Sequence, residues 1–187
     1  MRTIQEWENK VRSKFLQTLT PRLQRDLTKY KEPDPPIGKE SIPSAYYWGD
    51  AGTGKTVRAA QLLVEEAKRL YLNPKDDYTF MSCIFVSVPE LYRQLKSSFD
   101  DNITFNSYME RYRTCHFLVL DDIGAEKTSE WALQQLYLII NYRYEYLLTT
   151  IITSNKTLED LADFLGDDRI PSRIQRMGDI WEKIKRW

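Results

Sequence analysis

Gly49-Asp50-Ala51-Gly52-Thr53-Gly54-Lys55-Thr56 fits G-x-x-x-x-G-K-[ST] at every fixed position. Each part has a chemical reason. Glycines let successive main-chain N–H groups turn inward and approach phosphate oxygens with no Cβ in the way. Lys55 adds a compact positive charge for the outer phosphates, and the Thr56 hydroxyl can ligate magnesium. Val57 continues into a helix whose N-terminal partial charge points at the same anion. Further along, Asp121 and Asp122 close a run of four apolar residues. An aspartate at such a strand end holds magnesium in phosphate-loop proteins, which selects Asp121. Asp122 is the candidate base that orients and deprotonates a water, although it is one methylene shorter than a glutamate. The plainer alternatives are a glycine-rich turn that binds nothing and two acids that cap the next turn.

These groups need a scaffold, and the pattern of apolar residues describes one. Ala45-Tyr46-Tyr47-Trp48 is a short apolar run entering the glycine loop. Ala59, Ala60, Leu63, Ala67 and Leu70 then recur at helical spacing until Asn73-Pro74. Residues 80–88 are rich in β-branched and aromatic types, and residues 89–99 predict a helix with the stripe Leu91, Leu95, Phe99. Residues 117–120 and 148–153 read as strands, with a long helix over 129–146 between them. Thr157 and Asp160 form a capping box for a short helix that ends before Gly166. Continuous apolar strands separated by helices imply an α/β fold with a parallel sheet covered on both faces.

The first residues read differently. Ile4, Trp7, Val11, Phe15 and Leu19 fall on one side of a helix stopped by Thr20-Pro21, and Leu23 and Leu27 add one short turn. Glu32-Pro33-Asp34-Pro35-Pro36-Ile37-Gly38 reads as a linker, because proline withholds the donors that helix and sheet require. The expected organisation is a helical arm over residues 1–38 and a main domain over 39–187. So short an arm cannot bury a core unaided, which suggests that it docks a partner.

With 187 residues, the chain has room for one domain and not for two full ones. Its apolar runs are far shorter than the ~20 residues of a membrane helix, and its N-terminus has no apolar signal core, so a cytoplasmic location is expected. Two cysteines make neither a disulfide scaffold nor a zinc set. The net charge of zero hides segregation. Residues 1–31 hold eight basic against three acidic groups, residues 116–168 three against ten, and residues 169–187 six against two. That order suits contacts between copies or a local anion surface, and equally suits solvated faces.

From about Tyr46 to Met177 the sequence resembles the DnaC/IstB branch of the AAA+ ATPases, which are helicase loaders and transposition helpers. The likeness rests on Tyr47-Trp48 with the glycine loop, on Asp121-Asp122-Ile123-Gly124-Ala125-Glu126-Lys127-Thr128-Ser129-Glu130-Trp131 and on Thr150-Ile151-Ile152-Thr153-Ser154-Asn155. It continues through Leu165-Gly166-Asp167-Asp168-Arg169-Ile170 and Pro171-Ser172-Arg173. The resemblance implies a three-layer αβα P-loop NTPase. It implies ATP and magnesium as cofactors, a replicative helicase and single-stranded DNA as partners, and oligomers with nucleotide between subunits. It makes Asn155 the sensor-1 residue, a polar group at a strand tip beside the Asp121 strand. It makes Arg169 the arginine finger that reaches a neighbour's nucleotide, and Arg173 the alternate finger or a positioning partner. A surface ion pair with Asp167, Asp168 or Glu126 is the competing role for either arginine. The family also carries a lid arginine after a last strand, for which 179–187 and Arg186 are the candidates here.

Residues 89–114 occupy the place of the family's insertion that grips single-stranded DNA. Tyr92, Arg93, Lys96, Tyr108, Arg111, Tyr112 and Arg113 suit such a surface, but Glu90, Asp100, Asp101 and Glu110 oppose it. His116, Cys83 and Cys115 read as structural, and Tyr137, Tyr142, Tyr144 and Tyr146 as packing residues. The expected function is an ATP-hydrolysing AAA+ protein of DNA replication that loads a helicase. The alternatives are a transposition helper of the same fold and a nucleotide-gated adaptor with little hydrolysis. A small-molecule phosphotransferase fits less well, since no lid with acceptor-binding residues is visible.

Overall fold

The computed structural model describes residues 2–29, 42–73, 79–178 and 180–183. Their apolar runs form β1 (Ala45–Trp48), β2 (Cys83–Ser87), β3 (Phe117–Ile123), β4 (Thr149–Ser154) and β5 (Ile180–Lys183). All neighbours pair in parallel, in the order β2-β3-β4-β1-β5. Parallel strands need crossovers, and the helices supply them. They are α4 (Lys55–Leu72), α5 (Val88–Ser97), α6 (Asn102–Thr114), α7 (Glu130–Glu145), α8 (Leu158–Leu165) and α9 (Arg169–Met177).

Side chains alternate across each strand, so the sheet builds two cores. Ala45, Tyr47, Cys83, Phe117, Val119 and Ile151 face α4. Tyr46, Ile84, Val86, Leu118, Leu120 and Ile152 face the layer of α5 to α9. The result is the three-layer αβα fold expected from the sequence. Among the described residues, no helix is long and apolar enough to cross a membrane.

The head departs from the sequence reading in shape and placement. A single helix through Leu19 was expected. Instead α1 (Ile4–Glu6) passes through a π-helical turn (Trp7–Val11) into α2 (Arg12–Leu16), and α3 (Pro21–Lys29) is a full helix, not one short turn. The π turn absorbs one extra residue, which brings Trp7 and Phe15 to the same side. Ile4 is left 59% exposed. Pro21, with φ already fixed, suits the first position of α3. Trp7, Phe15, Leu16, Leu19, Leu23 and Leu27 are buried in one cluster with Ala59, Leu63 and Ala67 of α4. Residues 2–29 therefore lie on the main domain and share its core. The linker 32–38 and the boundary near 38 lie outside the described residues.

Phe99 was expected to complete the stripe of Leu91 and Leu95. It is 59% exposed, because α5 ends at Ser97, and its ring meets the edge of Trp131 with centroids 5.8 Å apart.

Candidate functional site

Strand β1 delivers the chain into the glycine loop, and the loop delivers it into α4. Gly52 and Gly54 have φ of 79° and 98°, a region that side-chain-bearing residues rarely adopt. Gly54 caps α4 without a side-chain hydrogen bond, so the first N–H groups of this 18-residue helix are left for an anion. Lys55 is buried, and its Nζ donates to the carbonyl oxygens of Gly49 at 2.9 Å and Asp50 at 2.8 Å. Burial holds its pKa below the ordinary lysine value, opposed by the charges of Asp122, Asp121 and Asp50. The Thr53 hydroxyl closes the loop on the Asp50 carbonyl at 2.9 Å.

Strand β3 carries the acids. Its first four residues are fully buried and Asp121 is 5% exposed, so burial pushes the Asp121 carboxyl up to about 6. A hydrogen bond from Thr153 opposes that shift, the charge of Asp122 adds to it, and a hydrogen bond from Thr56 and the charge of Lys55 oppose it again. Thr153 Oγ1 lies 2.7 Å from Asp121 Oδ1 and accepts the Asp122 N–H at 2.9 Å. Asp122 itself has φ of 59°, a rare conformation for a residue with a side chain.

One cavity of about 880 Å³ gathers most of the expected residues. Ala51, Gly52, Gly54, Lys55, Thr56, Val57, Asp121, Asp122 and Asn155 line it. Gly49 and Asp50 hold the Lys55 ammonium from behind. The cavity continues past the loop to Leu19, Thr20, Arg22 and Leu23 of the head, and to Glu90, Gln94, Arg111 and Tyr112 of α5 and α6. Sequence reasoning assigned none of these eight to the site. The head residues carry no motif, and the α5–α6 residues look like an ordinary amphipathic surface. Thr153 was visible inside the Thr-Ser-Asn string, but only the β3–β4 register reveals what it touches.

Thr56 and Asp121 are hard oxygen donors in contact, which suits magnesium. Among the described residues, no group of three His, Cys, Asp or Glu side chains is arranged to hold a metal alone.

Arg169 and Arg173 are not on this cavity. Arg169 begins α9 and forks onto Asp167, the competing ion pair named above. Arg173 Nε donates to Asn141 Oδ1 at 2.8 Å. Both guanidiniums lie over tyrosine rings of α7, Arg169 on Tyr137 at 4.8 Å and Arg173 on Tyr144 at 5.2 Å. The tyrosines of this helix thus seat cations. His116 is structural, with Nε2 2.6 Å from the buried Glu66 carboxylate, and both cysteines are buried thiols. Arg186 lies outside the described residues, although β5 is present before it.

The chain is 32% identical over 117 residues to the replicative helicase loader DnaI of Bacillus subtilis (strain 168), a match covering 62% of this chain and 34% of that protein. The chain therefore spans about a third of that relative's length. Among solved structures, the DnaC helicase loader aligns with a TM-score of 0.65 at 25% identity, covering 88% of this chain and all (100%) of the other. The DnaI crystal structure aligns with a TM-score of 0.60 at 27% identity, covering 92% and 84%. The family described as IstB-like ATP binding protein matches residues 46–177, from β1 to the end of α9. With that match, this parallel sheet and this phosphate loop, the chain belongs to the IstB-like ATP-binding family, in the DnaC/IstB branch of the AAA+ ATPases.

Proposed function

We propose that this domain binds ATP with magnesium between adjacent copies and hydrolyses it, and that the cycle switches its hold on single-stranded DNA and a replicative helicase in the cytoplasm. The observation that carries the reading is the split arrangement of the site. Lys55, Thr56, Asp121, Asp122 and Asn155 surround one cavity, while Arg169 and Arg173 sit away from it on α9. Placed off the cavity, either arginine can serve a nucleotide held by a second copy.

The chain's residues divide the work. Lys55 exchanges the Gly49 and Asp50 carbonyls for phosphate oxygens, beside the free N–H groups of α4. Thr56 and Asp121 would hold magnesium, which when bound neutralises phosphate charge. Leu19, Leu23 and Val57 give the nucleoside end an apolar wall. Asn155 orients a water, whose proton passes to the Asp122 carboxylate as its oxygen bonds to the γ-phosphorus. The bond from that phosphorus to the β–γ bridging oxygen breaks, and ADP leaves. A neighbour's Arg169 offsets the charge on the transferred group. The head, docked on α4, is the surface proposed for the helicase.

Calorimetry with magnesium ATP, at protein concentrations that permit self-association, tests binding. ATPase assays that titrate single-stranded DNA and candidate helicases test the rest. Saturable binding with turnover that rises with DNA or helicase is expected, and absence of nucleotide binding overturns the reading. The second reading, implied by the resemblance to the DnaC/IstB branch, is a transposition helper of the same fold. Preferential capture of a transposase over a helicase in a pull-down selects that role.

A further inference from the structure

Strands β3 and β4 pair in step as far as Leu120 opposite Ile152, and resume at Ile123 opposite Ser154. Three steps along β3 therefore face two along β4. The surplus residue falls at Asp121–Asp122, where regular backbone pairing cannot close. Two β4 hydroxyls repair the gap. Ser154 Oγ donates to the Ile123 carbonyl at 2.8 Å, restoring the far side of the bulge. Thr153, itself 0% exposed, serves the near side with one oxygen, donating to the Asp121 carboxylate and accepting the Asp122 N–H.

We propose that Thr153 is a positioning residue that aims both acids at the metal and nucleotide. A bulge frees the two carboxylates from the pleat, in which neighbours point to opposite faces. Without a second restraint it would also free them to wander. The Thr153 hydroxyl removes that freedom at two points. It fixes the rotation of the first carboxylate, and it ties down the left-handed backbone of the second acid, a conformation that persists only when its surroundings hold it. Valine has the same shape and can do neither, whereas serine keeps the oxygen. The inference rests on the magnesium–nucleotide reading above.

The full chain and its Thr153→Val and Thr153→Ser variants are compared by calorimetry with ATP, in magnesium and in excess chelator. Turnover and melting temperature are measured in parallel. Thr153→Val is expected to keep its chelator-condition affinity within about twofold and to lose about tenfold of the gain that magnesium gives, the scale of a charge-assisted hydrogen bond. Its kcat falls more than its KM rises, and Thr153→Ser recovers most of both. A merely structural threonine would lower the melting temperature and leave the magnesium gain intact, which overturns the proposal. If Thr153→Val does not fold, Thr153→Cys, with a weak donor in place of the hydroxyl, makes the same comparison. If the unaltered chain shows no magnesium gain, the nucleotide reading itself fails and this inference falls with it.

Discussion

The guanidinium of Arg169 is locked onto the carboxylate of Asp167, with Nη2 2.6 Å and Nε 2.9 Å from Oδ2. Asp167 also accepts the Arg169 N–H at 2.9 Å, and these bonds hold its carboxyl below the usual aspartate range. An arginine that serves a neighbour must first leave this partner. Asp167→Asn is therefore expected to raise the ATPase rate of a dilute protein by about two- to fivefold, the scale of an exposed ion pair. Mixtures of Arg169→Ala and Asp122→Asn subunits, each inactive alone, should regain part of the rate through shared sites. A steady-state phosphate-release assay reads both, and mixtures that stay inactive rule out a finger in trans.

Lys55 has two carbonyl partners, Gly49 and Asp50, that under the proposed reading it would surrender to phosphate. Lys55→Ala is expected to weaken ATP binding by about ten- to a hundredfold, the range for losing a charged hydrogen-bond donor. Calorimetry against ATP and ADP is the measurement. Equal affinity in the variant and the unaltered chain would place the phosphates elsewhere.

Without bound magnesium nucleotide, Asp121 is a burden on stability. Its folded pKa, about 6, is raised above the ordinary aspartate value of 3.8. The stability this group contributes is present below the lower value and is lost as pH rises through the upper one. At pH 7 the loss is about 3 kcal/mol, so Asp121→Asn should melt higher than the unaltered chain without nucleotide. The gap should shrink towards pH 4. Thermal melts across that interval check the sign, and the same variant should lose its magnesium-dependent nucleotide binding.

Glu66 behaves in the opposite way. Burial pushes its carboxyl up, but hydrogen bonds from His116 and Arg69 outweigh that and hold it below the usual glutamate value of 4.5. Stability from this group is present above 4.5 and is lost as pH falls through the depressed pKa. Glu66→Gln should therefore cost stability at pH 7 and give a shallower decline on acidification. Urea unfolding midpoints between pH 7 and pH 3 separate the two curves.

The fold was legible because the strands are short, apolar and separated by helices of strong periodicity. Residues 117–120 declare a doubly covered strand with no help from context. The phosphate loop was legible because its glycines and lysine stand in unbroken sequence. What escaped depended on distant pieces of chain meeting. Leu19 and Leu23 reach the cavity only because the head folds back onto α4. Thr153 meets both acids only because β3 carries one residue more than β4 at that level. The π turn was hidden for a related reason, since an extra residue shifts the helical phase while the apolar residues still read as one stripe. Asp167 was visible as an acid near Arg169, but geometry decided that it, and not Asp168 or Glu126, takes the guanidinium.

The seating of Trp7, Phe15 and Leu23 against α4 has a mechanical consequence. The helix they cover is the one whose first turn is proposed to grip phosphate, so tension applied at the N-terminus would pull on the floor beneath a bound triphosphate. A binding protein that tugged the head loose would strip an apolar flank and slacken that grip in one motion, turning load at one end into release of nucleotide at the other.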